Sequence, residues 1–129
     1  MAKDGGGAGT PPEEFDFARL AEISGGDAEF EREIAGEYIN QAWTLLEEIA
    51  RTPAARDPDA RRRAAHTLKG SSRTIGALTV AVLAAQLERL GREDDTAAAA
   101  LLDHARASLG ATQAVLDGHF GSDAYRRAA

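Results

Sequence analysis

His66 is the residue of this chain best placed to do chemistry, because of what stands around it. Lys69 and Gly70 follow it by three and four positions, and Arg61, Arg62, Arg63 and Arg73 bracket it. An imidazole that exchanges a phosphoryl group with another protein needs exposure, nearby positive charge and an unobstructed approach. On a helix, this residue order supplies all three.

Advancing about 100° per residue along 58–75, with His66 at zero, puts Ala64, Leu68 and Ile75 within roughly 20° of the opposite pole. Those three form the predicted buried stripe, so His66 points to solvent. Arg62, Arg63, Lys69, Gly70 and Arg73 fall within roughly 60° of it, and Asp59 shares the arc. Arg61 falls toward the packed side and is expected to snorkel at the end of the bundle. Lys69 reads as a mobile point charge able to contact phosphoryl oxygens. Gly70 leaves a dent for a close partner, at a helix cost of about 1 kcal/mol relative to alanine. Each exposed cation stabilises a bound phosphoryl group by roughly 0–1 kcal/mol, so this face orients and docks but does not by itself catalyse.

The elements that carry this face are all helical. Residues 1–14, with Gly5-Gly6-Gly7 and Pro11-Pro12, read as a disordered leader. A short apolar segment, Phe15 to Ile23, is broken by Ser24-Gly25-Gly26. Asp27 is a predicted N-cap for a helix to Arg51 with the stripe Phe30, Ile34, Tyr38, Leu45 and Ile49, and Ala42 filling its gap. Asp57-Pro58 starts the helix that ends at Ile75-Gly76. A fourth helix runs from Leu78 to Leu90, with Leu83, Leu87 and Leu90 inward and Gly91 as its stop. The last runs from Asp95 to Phe120 with Leu102, Leu109 and Leu116 at seven-residue intervals. The prediction is an all-α antiparallel four-helix bundle over residues 15–121, with a short extra N-terminal helix and a flexible tail over 122–129.

Composition excludes several functions. The 129 residues make one domain, and with no cysteine there is no disulfide, zinc-thiolate site or thiol nucleophile. The net charge of −6 argues against general nucleic-acid binding. Residues 60–87 carry +5 of that total and no acid, leaving −11 on the rest. Such a basic island in an acidic protein reads equally as a docking surface and as a solvated face over Arg61–Arg63. No apolar run suits a membrane, no signal peptide is apparent, and the expected compartment is the cytoplasm. Nothing forms a phosphate loop or a nucleophile elbow, so no ATP site is expected. His104 and His119 have no second ligand at helical spacing and read as surface or packing residues, so no metal is expected. Trp43 reads as core or groove lining, and Phe120 and Tyr125 as uninformative. Met1 and the short leader favour a free-standing protein.

The run His66-Thr67-Leu68-Lys69-Gly70-Ser71-Ser72-Arg73-Thr74-Ile75-Gly76-Ala77 resembles the signature of histidine-containing phosphotransfer (HPt) domains. Ala64-Ala65, Leu87-Glu88 and the opening Leu20 to Ser24-Gly25-Gly26-Asp27-Phe30 resemble that family too, over about residues 17–117. The resemblance implies a phosphorelay intermediate: His66 accepts a phosphoryl group from a receiver-domain aspartate and passes it to another receiver. It implies receiver domains and a sensor or hybrid histidine kinase as partners, with Mg²⁺ brought by the receiver and no cofactor of the chain's own. Lys69 then matches the phosphoryl-steadying lysine and Gly70 the access glycine, with Arg62, Arg63 and Arg73 around the docking face. Ser71 and Ser72 match small packing positions. Glu88 matches a polar residue of the facing helix that helps hold the imidazole. Arg73 stands where the family often has a small residue. Two other readings stay open: a phosphoacceptor segment of a histidine kinase, and an adaptor that docks receivers without transfer. Thr67 disfavours the dimerising kinase type, in which an acidic residue follows the histidine, and Ser71-Ser72 leans away from the chemotaxis type. The relay reading implies a monomer.

Overall fold

The computed structural model describes residues 15–53, 56–90 and 95–127. The expected leader over 1–14, the stop at Gly91 and the last two residues of the expected tail lie outside them. The elements are α1 (Phe17–Ser24), α2 (Ala28–Arg51), α3 (Pro58–Ile75), α4 (Leu78–Arg89), α5 (Asp95–Phe120) and α6 (Ala124–Arg127).

Capping chemistry sets most of these boundaries. The Asp16, Asp27 and Asp57 carboxylates each accept an N–H of the following first turn, at 3.0 Å from Ala18, Phe30 and Ala60. Pro58 occupies the start of α3, where a missing N–H is no loss. Gly25 and Gly76 close α1 and α3 in the left-handed conformation.

The helices assemble as the expected four-helix bundle. α2 packs on α3 and α5, and α4 packs on the same two, so each long helix has two long neighbours. The short connections make consecutive helices antiparallel. α1 lies across α2 and α3, and α6 lies on α2. Leu20, Ile39, Leu46, Ile49, Leu68, Ile75, Val80, Leu109 and Leu116 fill the centre. No described helix is long and apolar enough to cross a membrane.

Three expectations need correction. On α2 the buried line is Ala35, Ile39, Ala42, Leu46 and Ile49 with Tyr38 beside it, whereas Phe30 is 46% exposed and Ile34 and Leu45 are half-buried. Phe30 falls roughly 140° from the Ala35 line. Small Ala35 and Ala42 let the neighbouring helices approach, and a pattern weighted by side-chain bulk misses them. On α4, Leu87 is buried with Val80, Ala81 and Ala84, while Leu83 and Leu90 are only half-buried.

The third correction concerns the segment expected to be a flexible tail. It contributes α6, whose Tyr125 is buried and donates to Asp117 Oδ1 at 2.8 Å. Arg126 forks onto the same carboxylate at 3.1 and 3.0 Å, and Asn40 donates to its carbonyl. Burial raises the Tyr125 hydroxyl pKa, and the Arg126 guanidinium holds Asp117 below the usual carboxylate range. These partners lie on other elements, so no local periodicity announces them. Rings of Phe15, Phe17, His119, Phe120 and Tyr125 touch in succession, with centroids 4.5–4.8 Å apart, and tie the two ends of the fold together.

Gly76 meets two demands at once. Its φ is 105°, and a Cβ there would run into the Asp16 backbone, whose N–H donates to the Gly76 carbonyl at 2.8 Å. Gly25, at φ 66°, faces open space. Gly76→Ala is therefore expected to cost about 2 kcal/mol or more in urea unfolding, and Gly25→Ala about 1 kcal/mol. Equal costs would contradict the role given to the Asp16 contact.

Candidate functional site

The sharp turn at Gly76-Ala77 fixes which residues of α3 and α4 meet. His66 lies nine residues before Ile75, and Glu88 lies ten after Leu78. At 1.5 Å per residue both stand roughly 14–15 Å from the turn, level with each other. The Glu88 carboxylate accordingly reaches His66, with Oε2 2.7 Å from Nδ1. Its other oxygen, Oε1, accepts from Lys69 Nζ at 2.6 Å. One carboxylate bridges the ring and the ammonium.

The bridge has chemical consequences for all three groups. An ionised carboxylate only accepts hydrogen bonds, so it selects the tautomer with hydrogen on Nδ1. The lone pair then belongs to Nε2, at the other edge of a ring that is 65% exposed. Lys69, hydrogen-bonded to Glu88, and secondarily His66, hold that carboxyl below the usual glutamate range against the opposing effect of burial. Lys69 is pinned rather than mobile, because a carboxylate of the facing helix lies within its reach.

The other expected members share the face. Arg62, Arg63, Gly70 and Arg73 are exposed, and nothing lies within 4 Å of where a Gly70 Cβ would stand. No neighbouring helix packs on Gly70, so packing does not offset its helix cost of about 1 kcal/mol. Arg62 pairs loosely with Asp59 at 3.6 Å, an exposed contact of little energetic weight. Beyond Gly70, toward α2, an open groove runs between Ile23, Ile34, Tyr38, Ser71, Thr74 and Ile75.

Arg61 lies on the packed side, as its angle requires. Its side chain is 8% exposed and donates to Asp95 Oδ1 at 2.7 Å, so it ends on a carboxylate of α5 rather than in open water. Ser72 is buried and its hydroxyl pairs with Tyr38 Oη at 2.7 Å, locking α3 to α2 directly beneath the exposed face. Burial raises the Tyr38 hydroxyl pKa, and the bond to Ser72 only partly opposes this. Ser71 bonds back to the Leu68 carbonyl within its own helix. Trp43 lines the α2–α5 seam and donates to Gln113. His119 sits between Phe17 and Phe120, edge-on to the latter, with Nε2 3.3 Å from Glu31, and His104 is exposed.

Sequence reasoning missed one contributor to the face. Arg19 of α1 donates to the Arg73 carbonyl at 3.2 Å, bringing a further guanidinium to the C-terminal end of α3. A cation there is favoured by the helix dipole. No motif links the two residues, which lie 54 positions apart.

The bridge predicts a pH dependence with a defined sign. Because the Glu88 pKa is lowered on folding, its contribution is present in full above the ordinary glutamate value of 4.5 and is lost as pH falls through the lower folded value. Glu88→Gln is expected to cost up to about 1 kcal/mol at neutral pH, with the deficit shrinking toward zero as pH falls below the glutamate range. A deficit of constant size across unfolding curves from neutral to strongly acid pH would contradict the bridge.

A family model described as Hpt domain matches residues 33–115, a span that includes α3, α4 and all of the bridge. No curated protein and no solved structure matches the chain.

Proposed function

The chain belongs to the Hpt domain family, and from that membership we propose that His66 is the phosphoryl acceptor and donor of a phosphorelay. Hpt domains act as phosphotransfer carriers in two-component signalling. The observation that carries the assignment to His66 is its exposed ring, fixed through Nδ1 by Glu88 with Nε2 open to an incoming protein.

In the accepting step, the Nε2 lone pair attacks the phosphorus of a receiver's aspartyl phosphate. The N–P bond forms as the P–O bond to the aspartate breaks, and that electron pair returns to the departing carboxylate. Delivery to a second receiver reverses these events. The receiver supplies Mg²⁺, and this chain contributes an oriented nucleophile on a basic, open face. Lys69 lies one turn from His66 and steadies phosphoryl oxygens from its place on Glu88. Arg62, Arg63 and Arg73 attract and orient a receiver's acidic surface, and Gly70 lets it come close. The chain works as a monomer.

The test is to incubate the protein with a phosphorylated receiver domain and follow the label. The expected result is acid-labile, base-stable label on the wild type and none on His66→Gln. Label persisting in that variant would remove His66 as the site. Receiver binding that survives His66→Gln, with no label on either protein, would favour an adaptor. Gly70→Gln is expected to slow transfer about tenfold or more by crowding the docking face, with helical content unchanged by circular dichroism. An unchanged rate would refute its access role. Lys69→Ala is expected to slow transfer or shorten the life of the phosphohistidine, and wild-type values for both would exclude the steadying role.

A further inference from the structure

Two arginines meet near the C-terminal end of α3, and the transfer chemistry proposed for His66 uses neither. Arg73 follows His66 by seven residues. That spacing puts it within about 20° on the same helix face and about 10.5 Å further along the axis. Lys69 occupies the turn between them, so the exposed Arg73 stands beyond the reacting group, under the body of any protein that docks there. Arg19 reaches the same end of the helix from α1, where its Nη1 donates to the Arg73 carbonyl at 3.2 Å.

We infer that Arg19 and Arg73 form a selectivity site that reads a carboxylate on the docking receiver, favouring partners with Asp or Glu at that position and repelling those with Lys or Arg. The inference rests on the relay reading, and it goes beyond the general pull of the basic face by naming a residue pair that separates one receiver from another. Arg19 lies outside residues 33–115 matched by the family model, so the pair is no part of what all such domains share. Discrimination between related partners needs a repulsive element as well as an attractive one, and two adjacent cations supply both.

The pair is held in place yet left with donors to spare. α1 is fixed by Leu20, fully buried in the core, and by the Asp16 N–H bonded to the Gly76 carbonyl at 2.8 Å. The Arg19 side chain is 52% exposed, and its one ion pair among the described residues is a loose contact with Asp16 at 3.8 Å. The Arg73 side chain makes no ion pair among the described residues, in contrast to Arg61, Arg62 and Lys69. A guanidinium carries five N–H donors in a fork that matches a carboxylate, and the Arg73 carbonyl engages only one nitrogen of Arg19. Capping of α3 accounts for that one bond. It does not account for a second cation beside the first, which costs repulsion until an anion arrives.

The test measures binding of a panel of unphosphorylated receiver domains to the wild type, to Arg19→Gln, to Arg73→Gln and to the two double variants with Gln or Glu at both positions. Arg73→Gln keeps the backbone carbonyl that places Arg19, and Arg19→Gln keeps an N–H able to reach it. For the receiver that the wild type binds most tightly, each single Gln change is expected to weaken binding about threefold and both together about tenfold. The loss should lie mainly in slower association and shrink as salt is raised. The double Glu variant should recover affinity for a version of that receiver in which one acidic residue of its docking surface is changed to Lys. Urea unfolding and chemical phosphorylation of His66 by potassium phosphoramidate should match the wild type in the Gln variants. Unchanged affinities, equal losses for every receiver, or no Lys-bearing receiver rescued by the double Glu variant would overturn the inference. So would weaker binding accompanied by lowered stability, which marks a structural role, or a wild type that binds no receiver. Receivers that bind but never label the wild type would withdraw the relay reading alone, because the binding series still reports on the two arginines.

Discussion

The register between α3 and α4 is the constraint on which the site depends. The chain reverses at Gly76-Ala77 with its backbone pressed against Asp16, and a side chain at Gly76 would not fit. Two helices leaving so tight a turn have little freedom to slide, so residues equidistant from it face each other. His66 and Glu88 are such a pair. Shifting either helix by one residue would move a side chain about 100° around and 1.5 Å along its axis and separate the two groups. A conformational requirement at one glycine thereby sets a hydrogen bond some 14 Å away.

The second organising feature is the division of α3 into two faces with opposite requirements. Leu68 and Ile75 are sealed in the core, and buried Ser72 is locked to Tyr38. That anchoring lets the opposite face carry features that do little for folding: a mid-helix glycine with no packing partner, several cations close together and an exposed ring. Stability comes from the rigid side. On the proposed relay, a nucleophile carried by so firmly packed a helix loses little orientational freedom when a receiver arrives.

Much of this was legible in the sequence because its signals are local. Asp57-Pro58 and Gly76 mark the ends of α3, and helical angles within it separate Leu68 from His66 without reference to other helices. Asp27 marks α2 equally well. What the pattern missed is long-range or small. The Lys69–Glu88 pair and the Arg19–Arg73 contact join different elements. α6 is held by Asp117 and Asn40, which no periodicity connects to Tyr125 and Arg126. Ala35 and Ala42 carry the α2 seam through close approach rather than bulk, and Phe30 misled because large apolar side chains dominate a hydrophobic pattern. Counting residues on either side of Gly76 would have pointed to Glu88 independently of any family resemblance.

The central claim is that Glu88 fixes the His66 ring through Nδ1 and leaves the Nε2 lone pair facing outward. Long-range ¹H–¹⁵N correlation on the unphosphorylated protein, at a pH where the ring is neutral, reads the tautomer directly. The account expects a protonated Nδ1 and an unprotonated Nε2 at His66, with that preference weakened in Glu88→Ala. A neutral ring carrying its proton on Nε2 in the wild type would contradict it.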